Sequence, residues 1–220
     1  LTMSSLKICN RCVMDTSDPQ IVFDEKGNCN HCNDYFENIS QKIYKGEQSD
    51  RELEILVNKI KNSSKNNDYD CVIGLSGGVD SCYAAYNIHK LGLRAVAVHL
   101  DNGWNSEIAE HNIMKLIEFT GFKLEKFVLD EKEFKDLQIA FLKSSISDLE
   151  IPTDTAIPAV LHLIADKYKV KFIVSGGNFA TEGILPKAWG YNAKDDKLLN
   201  SIQKKFGTLK LTNFPSFGYR

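Results

Sequence analysis

The 220-residue sequence lacks a long apolar run, a basic block and an excess of positive charge. A membrane-spanning helix needs about 20 consecutive apolar residues, so the absence of such a run argues against a transmembrane protein. Lys and Arg number 27 against 29 Asp and Glu, a net charge of −2, whereas dedicated nucleic-acid-binding domains present a basic face. The N-terminal stretch LTMSSLKICNRC contains no apolar signal-peptide core. We therefore predict a cytoplasmic protein that binds neither a membrane nor nucleic acid.

Cysteine is scarce and unevenly placed, since four of the six cysteines lie in the first 34 residues and none follows Cys82. The first four form two C-x₂-C pairs separated by sixteen residues, a spacing typical of a four-thiolate zinc site. Zinc would supply folding energy that so short a module lacks. An iron–sulfur cluster is the alternative, and His31 inside the second pair is not expected to be a ligand. The predicted zinc ligands are Cys9, Cys12, Cys29 and Cys32.

From residue 69 onward, short apolar runs alternate with helical patterns, which predicts an α/β fold with a doubly wound parallel sheet. The sequence thus divides into a zinc-knuckle module (1–34), a helical connector (35–67) and an α/β domain (68–220). The tail LKLTNFPSFGYR is apolar and has no closing element, so we expect a missing C-terminal part or a partner to cover it. The predicted strands are 71–75, 94–100, 124–129 and 171–175, and the predicted helices are 81–91, 106–119, 131–147, 156–168 and 195–206.

A glycine pair lies between two serines at the end of the first predicted strand, in CVIGLSGGVDS (71–81). Ligands of open parallel sheets bind beyond the carboxyl ends of the strands, and glycine lets them approach the backbone. Successive N–H groups and the start of the next helix can hold an anion there. The alternative is a plain turn with a Ser or Asp cap, and the loop matches neither the Walker A nor the G-x-G-x-x-G pattern. The predicted anion-binding residues are Ser76, Gly77, Gly78, Val79, Asp80 and Ser81, with a metal ion between Asp80 and phosphate.

The stretch SGGVDS after a strand resembles the loop of the PP-loop ATP pyrophosphatases, a family that includes GMP synthetase, tRNA thiolation enzymes and sugar amidotransferases. The resemblance implies a domain over about residues 69–190 that binds ATP and Mg²⁺ and cleaves ATP between its α- and β-phosphates. The string CNRCVMDTSDPQIVFDEKGNCNHC before such a domain resembles the N-acetyl sugar amidotransferases of bacterial surface-polysaccharide synthesis. That narrower resemblance implies adenylation of an acetamido oxygen on a sugar, followed by substitution with ammonia to give an acetamidino group.

The same resemblance assigns roles to residues beyond the loop. Asp101 and Asn102 are expected to contact adenosine, although Asp-Asn-Gly is also an ordinary turn sequence. A second glycine pair, in VSGGNFATEG (174–183), is expected to face phosphate through Gly176, Gly177 and Asn178.

Glu182 is expected to hold Mg²⁺ together with Asp80, unless it is a solvated residue of a glycine-rich turn. Thr153 and Asp154 either cap a helix or contact the acceptor sugar. Lys187 is expected to stabilise phosphate charge, with solvation as its alternative. The expected catalytic residues are Asp80, Glu182 and Lys187, and the expected cofactors are ATP, Mg²⁺ and Zn²⁺.

The sequence shows no activated cysteine with a histidine partner for hydrolysing glutamine. By resemblance, ammonia is expected from a separate glutaminase or ammonia-channel subunit. Two other functions stay open. A tRNA thiolation enzyme also joins zinc knuckles to a PP-loop, but such enzymes use further downstream cysteines and a basic face. A non-catalytic scaffold would bind nucleotide and dock partners.

Overall fold

The computed structural model describes residues 6–178, 182, 186 and 195–216, so Lys187 lies outside the described residues. Contacts along the chain group these residues into two compact units. The first contains 6–54 with 177, 178, 182 and 186, and the second contains 55–176 and 195–216. The domain boundaries proposed from the sequence at residues 34 and 67 stay a prediction.

Helices and strands alternate through most of the described chain. Two irregular helical turns, Tyr35–Ile39 and Ser40–Lys42, follow the first helix. The strands are β1 (Cys71–Gly74), β2 (Ala95–Asp101), β3 (Lys123–Val128) and β4 (Ile173–Val174). The helices are α1 (Asn30–Asp34), α2 (Gly46–Ser63), α3 (Val79–Lys90), α4 (Glu107–Thr120), α5 (Glu131–Ser144), α6 (Ile151–Lys167) and α7 (Asp196–Phe206).

The four strands form one parallel sheet in the order β3-β2-β1-β4. Val72 of β1 is paired with Val96 on one side and with Ile173 on the other. Parallel neighbours need crossover connections, which α3, α4 and the α5–α6 pair supply. The predicted parallel α/β fold is therefore confirmed, and all strands end at the same edge.

The central strands β1 and β2 are buried along most of their length, which explains why they read as continuous apolar runs, whereas the edge strand β3 is largely half-buried or exposed. Because side chains alternate along a strand, Cys71 and Ile73 pack with α3 and α4, whereas Val72 and Val96 pack with α6. α2 adds Val57 to the first of these faces. No helix in the described ranges is long and apolar enough to cross a membrane.

The sequence prediction misplaced the start of α6, which begins at Ile151 and not at Ala156. Pro152 occupies the first turn, where a missing N–H costs nothing, and Pro158 lies inside the helix and not in its first turn. The fourth strand is also shorter than predicted, with two residues, Ile173–Val174. The prediction took Pro158 as the first-turn proline of this helix, whereas Pro152 has that position.

In the segment 208–214, Leu211 and Phe214 pack against α5 and α7, whereas Leu209 is exposed. The expected cover by a further C-terminal part or a partner stays a prediction. The Glu133 carboxylate accepts hydrogen bonds from the backbone N–H groups of Thr212, Asn213 and Phe214 at 2.9 Å. The Asp136 carboxylate, one turn further along α5, accepts others. Its partners are the N–H groups of Thr208 and Leu209, both at 2.9 Å, and Gln203 Nε2 at 2.6 Å.

These two buried carboxylates make the stability of the fold depend on pH. Burial opposes ionisation of Glu133 and Asp136, but hydrogen bonds outweigh it, so the pKa of each carboxyl is lowered from its ordinary value. A lowered folded-state pKa contributes stability above the ordinary value of about 4, and that contribution is lost as the pH falls below it.

We therefore expect Asp136→Asn to lower the free energy of unfolding at pH 7 by about 3 kcal/mol. The difference from the wild type should begin to shrink between about pH 5 and pH 3, because the unfolded wild-type chain then takes up a proton at this carboxyl, which the folded chain with its lowered pKa does not. Urea unfolding across this range measures both effects. Glu131→Gln, at an exposed position of the same helix, is the control and should change stability by less than about 0.5 kcal/mol. An Asp136→Asn variant as stable as the wild type at pH 7 would contradict the role of Asp136 in holding the backbone of Thr208 and Leu209.

Candidate functional site

The glycine loop connects the end of β1 to the start of α3 and lies at the carboxyl edge of the sheet. Gly77 has a φ of +80°, a conformation that side chains other than glycine rarely adopt. A Cβ at this position would lie 2.3 Å from the carbonyl oxygen of Ala109 on α4. The loop therefore needs glycine both for its backbone shape and for its close contact with α4.

Hydroxyl groups of the loop accept hydrogen bonds from its own backbone. Ser76 N–H donates to Ser81 Oγ at 3.3 Å, and Gly78 N–H donates to Ser76 Oγ at 3.3 Å. The Ser81 hydroxyl in turn donates to the carbonyl oxygen of Gly78 at 3.1 Å. These bonds are long, and an ionised phosphate oxygen is a stronger acceptor than a hydroxyl. The loop thus presents donors that an anion can take over.

The second glycine segment meets the first at Gly176. A Cβ on Gly176 would lie 2.9 Å from the backbone nitrogen of Ser81, so the chain after β4 touches the first turn of α3. Gly177, Asn178 and Glu182 belong to the other compact unit. There Glu182 is exposed, and its Oε2 accepts the N–H of Asn178 at 3.0 Å. That carboxylate oxygen thus binds the backbone of its own segment.

A cavity of about 370 Å³ opens beside the loop, on the α6 side of the sheet. Its lining includes Ser76 and Ser81 of the glycine loop and also Asn102 and Thr153. Most of the other lining residues are apolar. Such an apolar slot beside the loop suits a flat ring that carries a charged group. The apolar wall is formed by Leu75, Val98, Leu100, Ile157, Val160, Leu161 and Val174.

Of the two residues predicted to contact adenosine, only Asn102 lines the cavity. Its Nδ2 lies 3.5 Å from Thr153 Oγ1, and its Oδ1 accepts the N–H of Trp104 at 3.1 Å. Asp101 instead forms an ion pair with Lys126 of β3 at 2.7 Å. Its hydrogen bond to Lys126 lowers the pKa of its carboxyl.

Thr153 and Asp154 lie within the first turn of α6 and do not precede the helix, so the helix-cap alternative for them is wrong. Thr153 lines the cavity, and the N–H of Asp154 donates to the carbonyl oxygen of Glu150 at 2.9 Å. Of the two residues predicted to contact the acceptor sugar, Thr153 lines the cavity and Asp154 does not.

Asp80 is exposed in the first turn of α3, directly after the glycine loop. Mg²⁺ in nucleotide sites keeps several waters and binds one or two carboxylates together with phosphate oxygens. The structure thus places an accessible carboxylate directly after the glycine loop. The predicted role of Asp80 as a Mg²⁺ ligand stays a prediction.

The four N-terminal cysteines converge as the spacing predicts, with all four Sγ atoms within 4.8 Å of one another. Cys9 and Cys32 are separated by 3.9 Å between sulfurs, and Cys12 and Cys29 by 3.7 Å. A tetrahedral zinc ion with bonds of about 2.3 Å separates its sulfur ligands by roughly 3.8 Å. The donor set and spacing fit one tetrahedral ion such as zinc.

The electrostatics of the cysteine cluster also suit a cation. Burial disfavours the thiolate of Cys9, but backbone N–H groups, including those of Arg11 and Cys29, lower its pKa to about 6. Burial and neighbouring sulfurs raise the pKa of Cys32 well above its usual range. His31 does not belong to the four-sulfur cluster. Its Nε2 lies 2.7 Å from a buried carboxylate oxygen of Asp18.

Sequence reasoning missed three residues near the loop. His99 is 5% exposed, and its Nδ1 lies 2.9 Å from the carbonyl oxygen of Leu75. Trp104 is exposed and lines the cavity, and Asn112 of α4 donates from Nδ2 to the carbonyl oxygen of Gly77 at 3.0 Å. A histidine within the apolar run RAVAVHL was the one available signal, whereas nothing in the helical pattern marks Asn112.

The family model described as thiamine biosynthesis protein (ThiI) matches residues 67–181, just over half of the chain. The chain belongs to the ThiI family. The ThiI-type domain contains β1 to β4, the glycine loop and the cavity, and it is an ATP pyrophosphatase domain of the PP-loop type. The four-cysteine cluster precedes the matched range. A search of curated proteins found no match.

Solved structures resemble this ThiI-type chain to differing extents. Glutamine-dependent NAD⁺ synthetase from Acinetobacter baumannii has 16% identity and a TM-score of 0.50 over 74% of this chain and 34% of its own, which supports the fold alone. NMN synthetase from Francisella tularensis has 26% identity and a TM-score of 0.40 over 54% of this chain. The U34-tRNA thiolase NcsA from Methanococcus maripaludis has 15% identity and a TM-score of 0.41 over 78% of this chain and 54% of its own. The chain spans 50% of the NMN synthetase it matches.

Proposed function

We propose that this protein is a cytoplasmic, ATP-dependent amidotransferase that forms AMP and converts the acetamido group of an N-acetylated sugar into an acetamidino group. The observation that carries the proposal is that one cavity is lined both by serines of the glycine loop and by an apolar wall. The loop offers N–H and hydroxyl donors to the β- and γ-phosphates, and the slot accepts adenine. The four-cysteine module before this domain supports the narrower assignment to sugar amidotransferases, in surface-polysaccharide synthesis.

In the proposed reaction the acetamido oxygen attacks the α-phosphorus of ATP, and the bond from that phosphorus to the bridging oxygen breaks. Pyrophosphate leaves into the donors of the glycine loop, which stabilise its charge. Ammonia then attacks the adenylated carbon, and AMP leaves with the former acetamido oxygen. Mg²⁺ held by Asp80 would neutralise phosphate charge when bound. Thr153, beside Asn102 in the cavity, is the described residue proposed to orient the acceptor.

The proposed partners follow from this chemistry. Ammonia would come from a separate glutaminase or channel subunit. Gly177 and Asn178 are proposed to face phosphate, Glu182 to hold Mg²⁺, and Lys187 to stabilise phosphate charge. The zinc ion is proposed to be structural, because four cysteine ligands leave no open position for substrate.

The proposal predicts that ATP yields AMP and pyrophosphate only when a suitable acceptor is present. Radiolabelled ATP, Mg²⁺ and ammonium would be incubated with nucleotide-linked N-acetylhexosamines, with N-acetylated nonulosonates, or with tRNA and a sulfur donor. Asp80→Asn should lower AMP formation by about 10²- to 10³-fold. Glu107→Gln, an exposed carboxylate change in the first turn of α4, is the matched control.

Isotope transfer distinguishes the proposed reaction from its rivals. An acceptor labelled with ¹⁸O in the acetamido carbonyl should transfer that oxygen to AMP. Formation of ADP would contradict ATP cleavage at the α-phosphorus. AMP formation that requires tRNA and sulfur would instead assign thiolation, and ATP binding without turnover by any acceptor would assign a scaffold.

A further inference from the structure

Two side chains outside the glycine loop hold the loop by its carbonyl oxygens. His99 Nδ1 lies 2.9 Å from the carbonyl oxygen of Leu75, and Asn112 Nδ2 donates to the carbonyl oxygen of Gly77 at 3.0 Å. His99 comes from β2 and Asn112 from α4, so the loop is supported from two separate elements. Neither side chain belongs to the glycine motif.

Holding a carbonyl also fixes the N–H group of the same peptide. The described chain has no cis peptide bond, so each C=O and the following N–H point in opposite directions. The carbonyl of Leu75 points to His99, and the N–H of Ser76 therefore points away from it. Likewise, the carbonyl of Gly77 points to Asn112, and the N–H of Gly78 points away from α4.

The two N–H groups aimed in this way are the same donors that bond the serine hydroxyls inside the loop. Ser76 N–H donates to Ser81 Oγ, and Gly78 N–H donates to Ser76 Oγ, both at 3.3 Å. An anion that displaced these hydroxyls would receive donors already in place. Donors fixed before binding cost no reorganisation when charge arrives.

His99 is itself fixed in orientation by its hydrogen bonds. A carbonyl oxygen only accepts, so Nδ1 of His99 carries the proton that Leu75 accepts. Its Nε2 then accepts from Nδ2 of Asn105 at 3.1 Å. The ring thus bridges the end of β1 and the residues that precede α4.

We propose that Asn112 and His99 are positioning residues that aim the N–H groups of Gly78 and Ser76 at the pyrophosphate end of ATP. The inference rests on the proposed function, because it assumes that the loop binds phosphate. Beyond the proposed function, it states that the affinity for pyrophosphate depends on His99 and Asn112, which contact the loop and need not contact the ligand.

Isothermal titration with magnesium pyrophosphate and, separately, with AMP tests Asn112. Asn112→Leu keeps the side-chain volume and removes the donor, and the position is exposed, so the fold should tolerate it. Losing one neutral hydrogen bond should weaken pyrophosphate binding by about 3- to 10-fold. AMP affinity should stay unchanged, because adenosine occupies the apolar slot. His111→Leu, at the preceding exposed position, is the control and should bind both ligands as the wild type does.

His99 offers a second, independent pair of variants. Asn can place its amide nitrogen where Nδ1 of histidine lies, so His99→Asn should retain pyrophosphate affinity better than His99→Leu. If both variants lost the same amount of pyrophosphate affinity, only the volume or burial of His99 would matter, and its positioning role would be overturned.

The outcomes separate this inference from the proposed function. If wild-type protein binds neither ATP nor pyrophosphate, both are overturned. If the wild type binds both and Asn112→Leu binds pyrophosphate equally well, only the inference about Asn112 is overturned. A parallel loss of AMP and pyrophosphate affinity in Asn112→Leu would indicate general disruption of the site and would also overturn it. A selective loss of pyrophosphate affinity supports it.

Discussion

Replacing Gly77 by alanine is expected to lower kcat/KM for AMP formation at least ~100-fold and to weaken ATP binding. The new Cβ would lie 2.3 Å from the carbonyl oxygen of Ala109, a backbone atom that cannot move out of the way by rotation. Relieving that contact requires a shift of the loop of roughly 1 Å, and misplacements of that size are known to cost about 10² in rate. Ser76 and Gly78 would move with it.

The variant Gly103→Ala separates steric contact from backbone strain. Gly103 has a φ of +81°, almost the same as the +80° of Gly77, but no atom beyond its two chain neighbours lies within 4 Å of its added Cβ. Both substitutions therefore impose a left-handed conformation on alanine, which costs roughly 1–2 kcal/mol. Only Gly77→Ala adds the contact with α4.

Thermal unfolding and ATP titration of the two variants give the decisive comparison. Both should lose stability, and Gly77→Ala should additionally lose ATP affinity and turnover. If Gly103→Ala impaired ATP binding as much as Gly77→Ala does, backbone strain alone would explain the loss, and the packing of α4 against the loop would have no special role. A fully active Gly77→Ala enzyme would refute the assignment of this loop to phosphate.

The sequence predicted the elements whose signals are local. The glycine loop and the two C-x₂-C pairs follow from short motifs. The helix predicted over 106–119 is found at Glu107–Thr120, between the side-chain cap Ser106 and the left-handed residue Gly121. The continuous apolar runs of β1 and β2 predicted a sheet covered on both faces. These features depend on residues close together in the chain.

Contacts between distant residues were not predictable in the same way. Asn112 follows Gly77 by 35 residues, and Glu133 precedes Thr212 by 79, so no local pattern connects either pair. The sequence does not distinguish a solvated polar residue on α4 or α5 from one whose side chain forms a hydrogen bond with the backbone of a distant segment. Asp101 is a further case, because its ion-pair partner Lys126 lies on the neighbouring strand, 25 residues away. Its predicted contact with adenosine stays a prediction.

Replacing Cys29 by serine is expected to abolish metal binding and to unfold the cysteine module. Cys29 is fully buried, its Sγ lies 3.7 Å from that of Cys12, and its N–H donates to the Sγ of Cys9 at 3.2 Å. The apolar core around these sulfurs is small, because among the described residues it contains, besides the cysteines, Met14, Ile21 and Phe23 and no others. Structural zinc contributes about 10–16 kcal/mol of apparent binding energy in modules of this size, far more than such a core supplies.

Cys71→Ser is the matched control for the cysteine variant. Cys71 is also fully buried, and burial raises the pKa of its thiol to about 12, but it lies in β1 among apolar residues and outside the four-sulfur cluster. It should retain one metal ion per chain, whereas Cys29→Ser should retain none. His31→Ala should also keep the metal, because the His31 ring contacts Asp18 and not a sulfur.

Elemental analysis and visible absorption of the purified protein identify the metal itself. One zinc ion per chain and no visible band would agree with a single tetrahedral ion whose sulfurs are separated by 3.7–3.9 Å. Iron with inorganic sulfide and a broad visible band would contradict zinc, because a four-iron cluster has to hold its thiolates further apart than one ion does. Metal retained by Cys29→Ser would contradict the four-thiolate site in either form, since three sulfurs would then suffice.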